Sequence, residues 1–140
     1  MARSTTSIRL DDDVRGHLAA AAAAEGTTVT ELIERFVREG LAVAAHPGVV
    51  FKPRVSGRRA ALAGGPDVWE VIDALRHVKG SEAKRIKDVA TLLRIHERQV
   101  VIAVNYAAAN REEVDARIRA NDRALEEAER VARERDRLLA

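Results

Sequence analysis

Thr5, Ser7 and Arg9 place two hydroxyls and a guanidinium at alternate positions of one short stretch, Thr5-Thr6-Ser7-Ile8-Arg9-Leu10. In a β-strand successive side chains point to opposite faces, so these three share one face while Ile8 and Leu10 share the other. A face of that kind offers donors and acceptors suited to base edges in a major groove. A lone strand can neither satisfy its backbone groups nor bury its apolar side. The economical remedy is a second copy of the chain, giving a two-stranded antiparallel ribbon that displays both sets of Thr, Ser and Arg.

The segments that follow are built to hold such a ribbon. Asp11 or Asp12 caps a helix from Asp13 to Glu25, with Val14, Leu18, Ala21 and Ala22 on one face and Gly26 placed to end it. Thr28-Val29-Thr30-Glu31 reads as a capping box. Val29, Leu32, Ile33, Phe36 and Val37 form the apolar face of a second helix, which Gly40 is expected to close. Strand, helix, glycine turn and capped helix from Ser4 to Ala44 resemble the ribbon–helix–helix superfamily of MetJ, Arc and CopG type. The resemblance implies that Thr5, Ser7 and Arg9 read bases. It also implies that the amides of Thr28, Val29 and Thr30, together with Arg3, contact phosphate. Ile8, Leu10, Leu32, Ile33 and Phe36 would form the dimer core.

With 140 residues, few aromatics and much alanine, the chain must draw its apolar burial mainly from helices, and small units with thin cores favour a dimer. There is no cysteine, hence no disulfide framework, thiolate metal site or cysteine nucleophile. The N-terminus is polar from Arg3 to Ser7, no signal peptide is read there, and no apolar run approaches membrane-spanning length. A cytoplasmic protein without membrane contact is expected. Charge is unevenly distributed. Residues 1–45 hold five Arg against seven Asp and Glu, residues 46–110 eleven Lys and Arg against six acids, and residues 111–140 eight Arg against nine acids. The basic surplus therefore lies in the middle, where a polyanion contact is best supported.

A boundary is expected at Ala45-His46-Pro47-Gly48, dividing the chain into domains 1–45, 46–110 and a C-terminal helix over 111–140. Val49-Val50-Phe51 and Arg59-Ala60-Ala61-Leu62 read as a hairpin around Val55-Ser56-Gly57-Arg58, with Pro53 marking an edge. Lys52, Arg54, Arg58 and Arg59 make it basic. They either touch phosphate as a wing or guard exposed strand edges against aggregation. Asp67 lies in the first turn of the next helix, whose face is Val68, Trp69, Ile72 and Leu75, with Trp69 expected to anchor the core. Gly64-Gly65 lacks the Lys-Ser or Lys-Thr of a nucleotide loop.

Ser81 is a cap for Glu82 to Leu93, with Ile86, Val89, Ala90 and Leu93 inward. Small Ala90, a turn at Arg94-Ile95-His96 and a following helix with Val100 inward form a helix-turn-helix pattern. Arg94 stands at the usual turn glycine and His96 at the capping place. Arg98, Gln99 and Ile102 would be presented near the start of the second helix as a further DNA-reading set. The run from Ala45 to Ala124, including His46-Pro47-Gly48, Trp69, Asn105-Tyr106-Ala107 and Asn121, is similar to the helix-turn-helix part of some VapB-like antitoxins.

Val114, Ile118, Asn121, Leu125, Ala128, Ala132, Arg135 and Leu139 follow coiled-coil spacing on one long helix, although the seam is small or charged after Leu125. That helix either packs partly on its own domain, with a frayed end, or folds onto a toxin protein. His17, His46, His77 and His96 stand in separate elements without metal-ligand spacing, and no nucleophile–base pair stands out, so no cofactor, metal or enzymatic activity is read. The expectation is a mainly α chain with short β: a ribbon–helix–helix dimer, a β-hairpin with helix-turn-helix domain, and a long C-terminal helix. Its expected partner is double-stranded DNA with inverted-repeat sites, bound by a homodimeric regulator repressing its own operon. The alternatives are an antitoxin or a DNA-organising protein that uses both domains.

Overall fold

The computed structural model describes residues 2–140. Asp11 has extended backbone angles and its carboxylate accepts the Val14 amide at 2.9 Å, opening α1 (Asp12–Glu25). Asp12 and Asp13 sit in the first turn, at the positive end of the helix dipole. Gly26 adopts a left-handed φ of 67° and returns its amide to the carbonyls of Ala22 and Ala23, which ends α1. The Thr28 hydroxyl then accepts the Glu31 amide at 3.1 Å while the Glu31 carboxylate accepts the Thr28 amide at 3.3 Å. This reciprocal box starts α2 (Val29–Ala45).

Gly40 does not end α2 as the sequence reading expects. The helix continues through it to Ala45. A single interior glycine costs about 1 kcal/mol against alanine, and the chain that follows, Leu41 to Ala45, carries the ladder onward. His46, ahead of Pro47, is where the helical conformation becomes costly. Ala22 and Leu32 are the buried side chains of α1 and α2, and Arg35 bridges back to Glu25 with bonds of 2.6 and 3.1 Å.

Thr5 to Leu10, expected as a strand, belongs to no helix or strand in the single chain. A strand is defined by the partner it bonds to, and no segment among the described residues supplies one here.

The chain divides into two compact units, Met1–Ala42 and Val43–Ala140. In the second, β1 (Val49–Lys52) pairs antiparallel with β2 (Arg59–Leu62), in a register that sets Val49 opposite Leu62 and Lys52 opposite Arg59. Arg54 and Gly57 close the turn with reciprocal backbone bonds of 3.1 Å. Pro53 falls just beyond β1, so it removes no ladder bond. Ala60, Ala61 and Leu62 are buried in succession, which small side chains permit when both faces of a strand are covered.

Three helices, α3 (Val68–Arg76), α4 (Glu82–Leu93) and α5 (Glu97–Ala109), pack together, and α6 (Arg111–Leu139) joins α3 and α5. The Ser81 hydroxyl accepts the Lys84 amide at 3.2 Å, and the Gln99 side-chain carbonyl accepts the His96 amide at 2.9 Å. Between α4 and α5, Arg94 takes a left-handed φ of 55°, returning its amide to Ala90 and Thr91. Tyr106, rather than Trp69, occupies the centre. It is fully buried, with its ring edge-on to His46 at 5.2 Å and its hydroxyl donating to Glu113 at 3.0 Å. Trp69 is only half-buried, under the Arg117 guanidinium at 5.5 Å. The inward residues of α3 are Val68 and Val71, with Ile72 and Leu75 half-buried. Val114 and Ile118 anchor α6, and every residue from Arg123 onward is exposed although the helix persists to Leu139.

The chain is therefore mainly α with one short β-hairpin. No helix among the described residues is long and apolar enough to cross a membrane.

Candidate nucleic-acid interface

Periodicity gives α2 an apolar arc wider than a two-helix hairpin can cover. Leu32 faces inward and is buried, whereas Phe36 and Leu41 remain 48% and 68% exposed and Val37 is exposed beside them. The leader adds to this surface. Ile8 is 61% exposed, and Ile8, Arg9 and Leu10 run along a groove whose walls include Leu18, Val29 and Ile33. Of these, Leu10, Leu18 and Ile33 are half-buried. The five residues expected to form a dimer core thus stand on one unit, with Leu32 already buried and Ile8 and Phe36 largely uncovered. Isolated exposed apolar residues are ordinary on protein surfaces, but a continuous set of them marks an interaction face.

Arg3, Thr5, Ser7 and Arg9 are all exposed. Arg3 lies 3.7 Å from Glu34. Thr28, Val29 and Thr30 are named as phosphate-holding amides, yet the Thr28 amide already bonds the Glu31 carboxylate. The Thr27 hydroxyl donates to the same carboxylate at 2.7 Å, and these bonds hold the Glu31 pKa below the ordinary glutamate range. Val29 and Thr30 are the first-turn positions whose amides have no carbonyl partner within a helix.

In the second unit the basic hairpin is tied into its own fold. Lys52 Nζ donates to the Gly65 carbonyl at 3.1 Å, and Arg54 makes a two-point bond to Asp67, which is 4% exposed. The Asp67 carboxylate raises the Arg54 pKa above its already high value. Arg58 donates to the Phe51 carbonyl and Arg59 to the Ser56 hydroxyl. Arg58 remains exposed. Along α5, Arg98 is exposed while Gln99 is held by the His96 amide and Ile102 is half-buried against Gly48. A methyl group on Gly48 would stand 2.9 Å from Ile102 Cδ1, so Ile102 fills a packing contact. Arg98, Gln99 and Ile102 consequently share a helix start without sharing an outward face.

Two constellations carry no motif of their own in the sequence. One is the Arg54–Asp67 clamp, whose only signal was a capping aspartate with charge to spare. The other is a groove among α3, α4, α5 and the first turns of α6, rimmed by Arg76, Arg85 and Arg111. Among the described residues there is no cluster of three or more His, Asp or Glu arranged to hold a metal ion.

No family model, curated protein or solved structure matches the chain.

Proposed function

We propose that the chain is a homodimeric, sequence-specific DNA-binding regulator of ribbon–helix–helix type that represses its own operon. One observation carries this reading: an uncovered apolar arc on α2 lies beside a leader whose alternating residues find no strand partner among the described residues. A two-fold partner meets both needs at once. Two leaders pair into a ribbon, Ile8 and Leu10 turn toward Ile33 and Phe36, and Thr5, Ser7 and Arg9 face outward into the major groove. Arg9 supplies a planar donor fork for guanine, and the hydroxyls of Thr5 and Ser7 bond either base edges or backbone. The Val29 and Thr30 amides sit at the positive end of α2, where phosphate binds. Operators are inverted repeats, since a two-fold dimer reads two-fold sites.

A second reading, an antitoxin whose C-terminal part grips a toxin protein, is favoured by one feature. Leu125, Val131, Leu138 and Leu139 are exposed on the C-terminal half of α6, where every residue from Arg123 onward is exposed. The two readings differ at Arg9. Selection from random duplex DNA by the full chain should yield an inverted-repeat consensus, and Arg9→Ala should lose that consensus while sedimenting as the parent dimer does. Recovery of no consensus from the parent chain would remove the DNA-reading proposal.

A further inference from the structure

The groove among α3, α4, α5 and the start of α6 is a second place where the fold leaves apolar surface open. Its volume is about 580 Å³, within the range of pockets that hold small organic molecules. The floor is apolar, with Ile72, Leu75 and Ile86 on one side and the partly exposed Val101 and Val104 on the other. Three arginines stand around it, and they are not equivalent. Arg76 is 2.9 Å from Asp73, and Arg111 is 3.4 Å from Asp115. Arg85 has no carboxylate within ion-pair distance among the described residues. Its one fixed bond runs from an Nη to the Leu75 carbonyl at 2.7 Å, and its Nε is buried without a hydrogen-bond partner.

A half-buried guanidinium beside apolar surface, with no anion to neutralise it, is costly unless something completes it. The complement of one uncompensated guanidinium on an apolar floor is a molecule with one carboxylate and an apolar body. We propose that this groove binds a small amphipathic carboxylate, its head on Arg85 and its chain against Val101 and Val104. Glu82, also on the rim, disfavours a dianionic head and limits the ligand to a single negative charge. The site stands apart from the DNA-reading proposal, since every residue in it belongs to the second unit.

Decanoate is the probe. Titrated into the full chain by calorimetry, it should bind saturably at one molecule per chain, with amide shifts in α4 and α5 when followed by NMR. Decanol should bind at least about tenfold more weakly, because a charged hydrogen bond separates the two. Arg85→Gln should bring decanoate down to the decanol level. Val104→Asp, at a partly exposed position of α5, should weaken both ligands. Thermal melts of both variants establish that they remain folded. Failure of decanoate to saturate at millimolar concentration would overturn the proposal. So would binding that Arg85→Gln leaves unchanged, or tighter occupation by an acidic amphipathic peptide that decanoate cannot displace.

Discussion

Phe36→Ala isolates the proposed dimer contact from the fold of the single chain. The ring is 48% exposed on α2, so about half of its burial remains for a partner to provide. Fully burying a phenylalanine is worth about 1.5–3 kcal/mol, which leaves roughly 0.7–1.5 kcal/mol per protomer. The two-fold counts the residue twice, giving about 1.5–3 kcal/mol per dimer, or a dissociation constant weakened about ten- to a hundredfold. Arg35 lies over the ring at 5.3 Å but is held independently by Glu25, so its position should survive the change. Sedimentation equilibrium over a concentration series measures the constant, and circular dichroism verifies that helix content is retained. An unchanged constant would mean that the α2 arc is not the contact. A parent chain that stays monomeric at every concentration would refute the dimer outright.

Arg94→Gly should stabilise the second unit. A left-handed residue with a side chain costs about 1–2 kcal/mol, glycine's greater unfolded freedom takes back roughly 0.5–1 kcal/mol, and denaturant titration should show a net gain near 0.5–1 kcal/mol. Tyr106→Phe should cost about 1–2 kcal/mol in the same titration, since it strips Glu113 of a partly buried donor while leaving the ring packed. The Glu31 carboxylate has its folded pKa lowered by Thr27 and Thr28, so it binds its proton more weakly folded than unfolded. Its contribution is complete at neutral pH and lost as pH falls below the ordinary glutamate range through the folded value. Glu31→Gln should flatten that acid limb in thermal melts followed across pH, and an unaltered limb would show the carboxylate bonds to be inconsequential.

Much of the local structure was legible because its causes are local. Asp11, Gly26, the Thr28–Glu31 box and Ser81 each act within four residues of themselves, and the structure shows them making the bonds their types imply. Gly40 misled because a single glycine is a weak stop when the chain beyond it is helix-forming. Trp69 misled because size suggests a core anchor, while position gave the centre to Tyr106, which His46 and Phe51 flank. The interface was harder to read. Pairing of Arg54 with Asp67 and of Lys52 with the Gly65 carbonyl spans 13 residues, and nothing in the hairpin's own sequence announces either bond. Ile102 against Gly48 and the groove around Arg85 depend on helices converging from distant parts of the chain. The leader lies beyond both kinds of reading, for a strand is made by its partner's hydrogen bonds, and none of the described segments pairs with it.

Pairing of two leaders can be observed directly, because the chain has no cysteine and a single Ser7→Cys substitution carries one spin label per protomer. Strands joined in a ribbon lie about 5 Å apart, so pulsed dipolar spectroscopy on the labelled chain should show a short, narrow distance between the two labels. A dimer with a long or broad distance, or no dipolar coupling at concentrations where the chain associates, would contradict the paired ribbon.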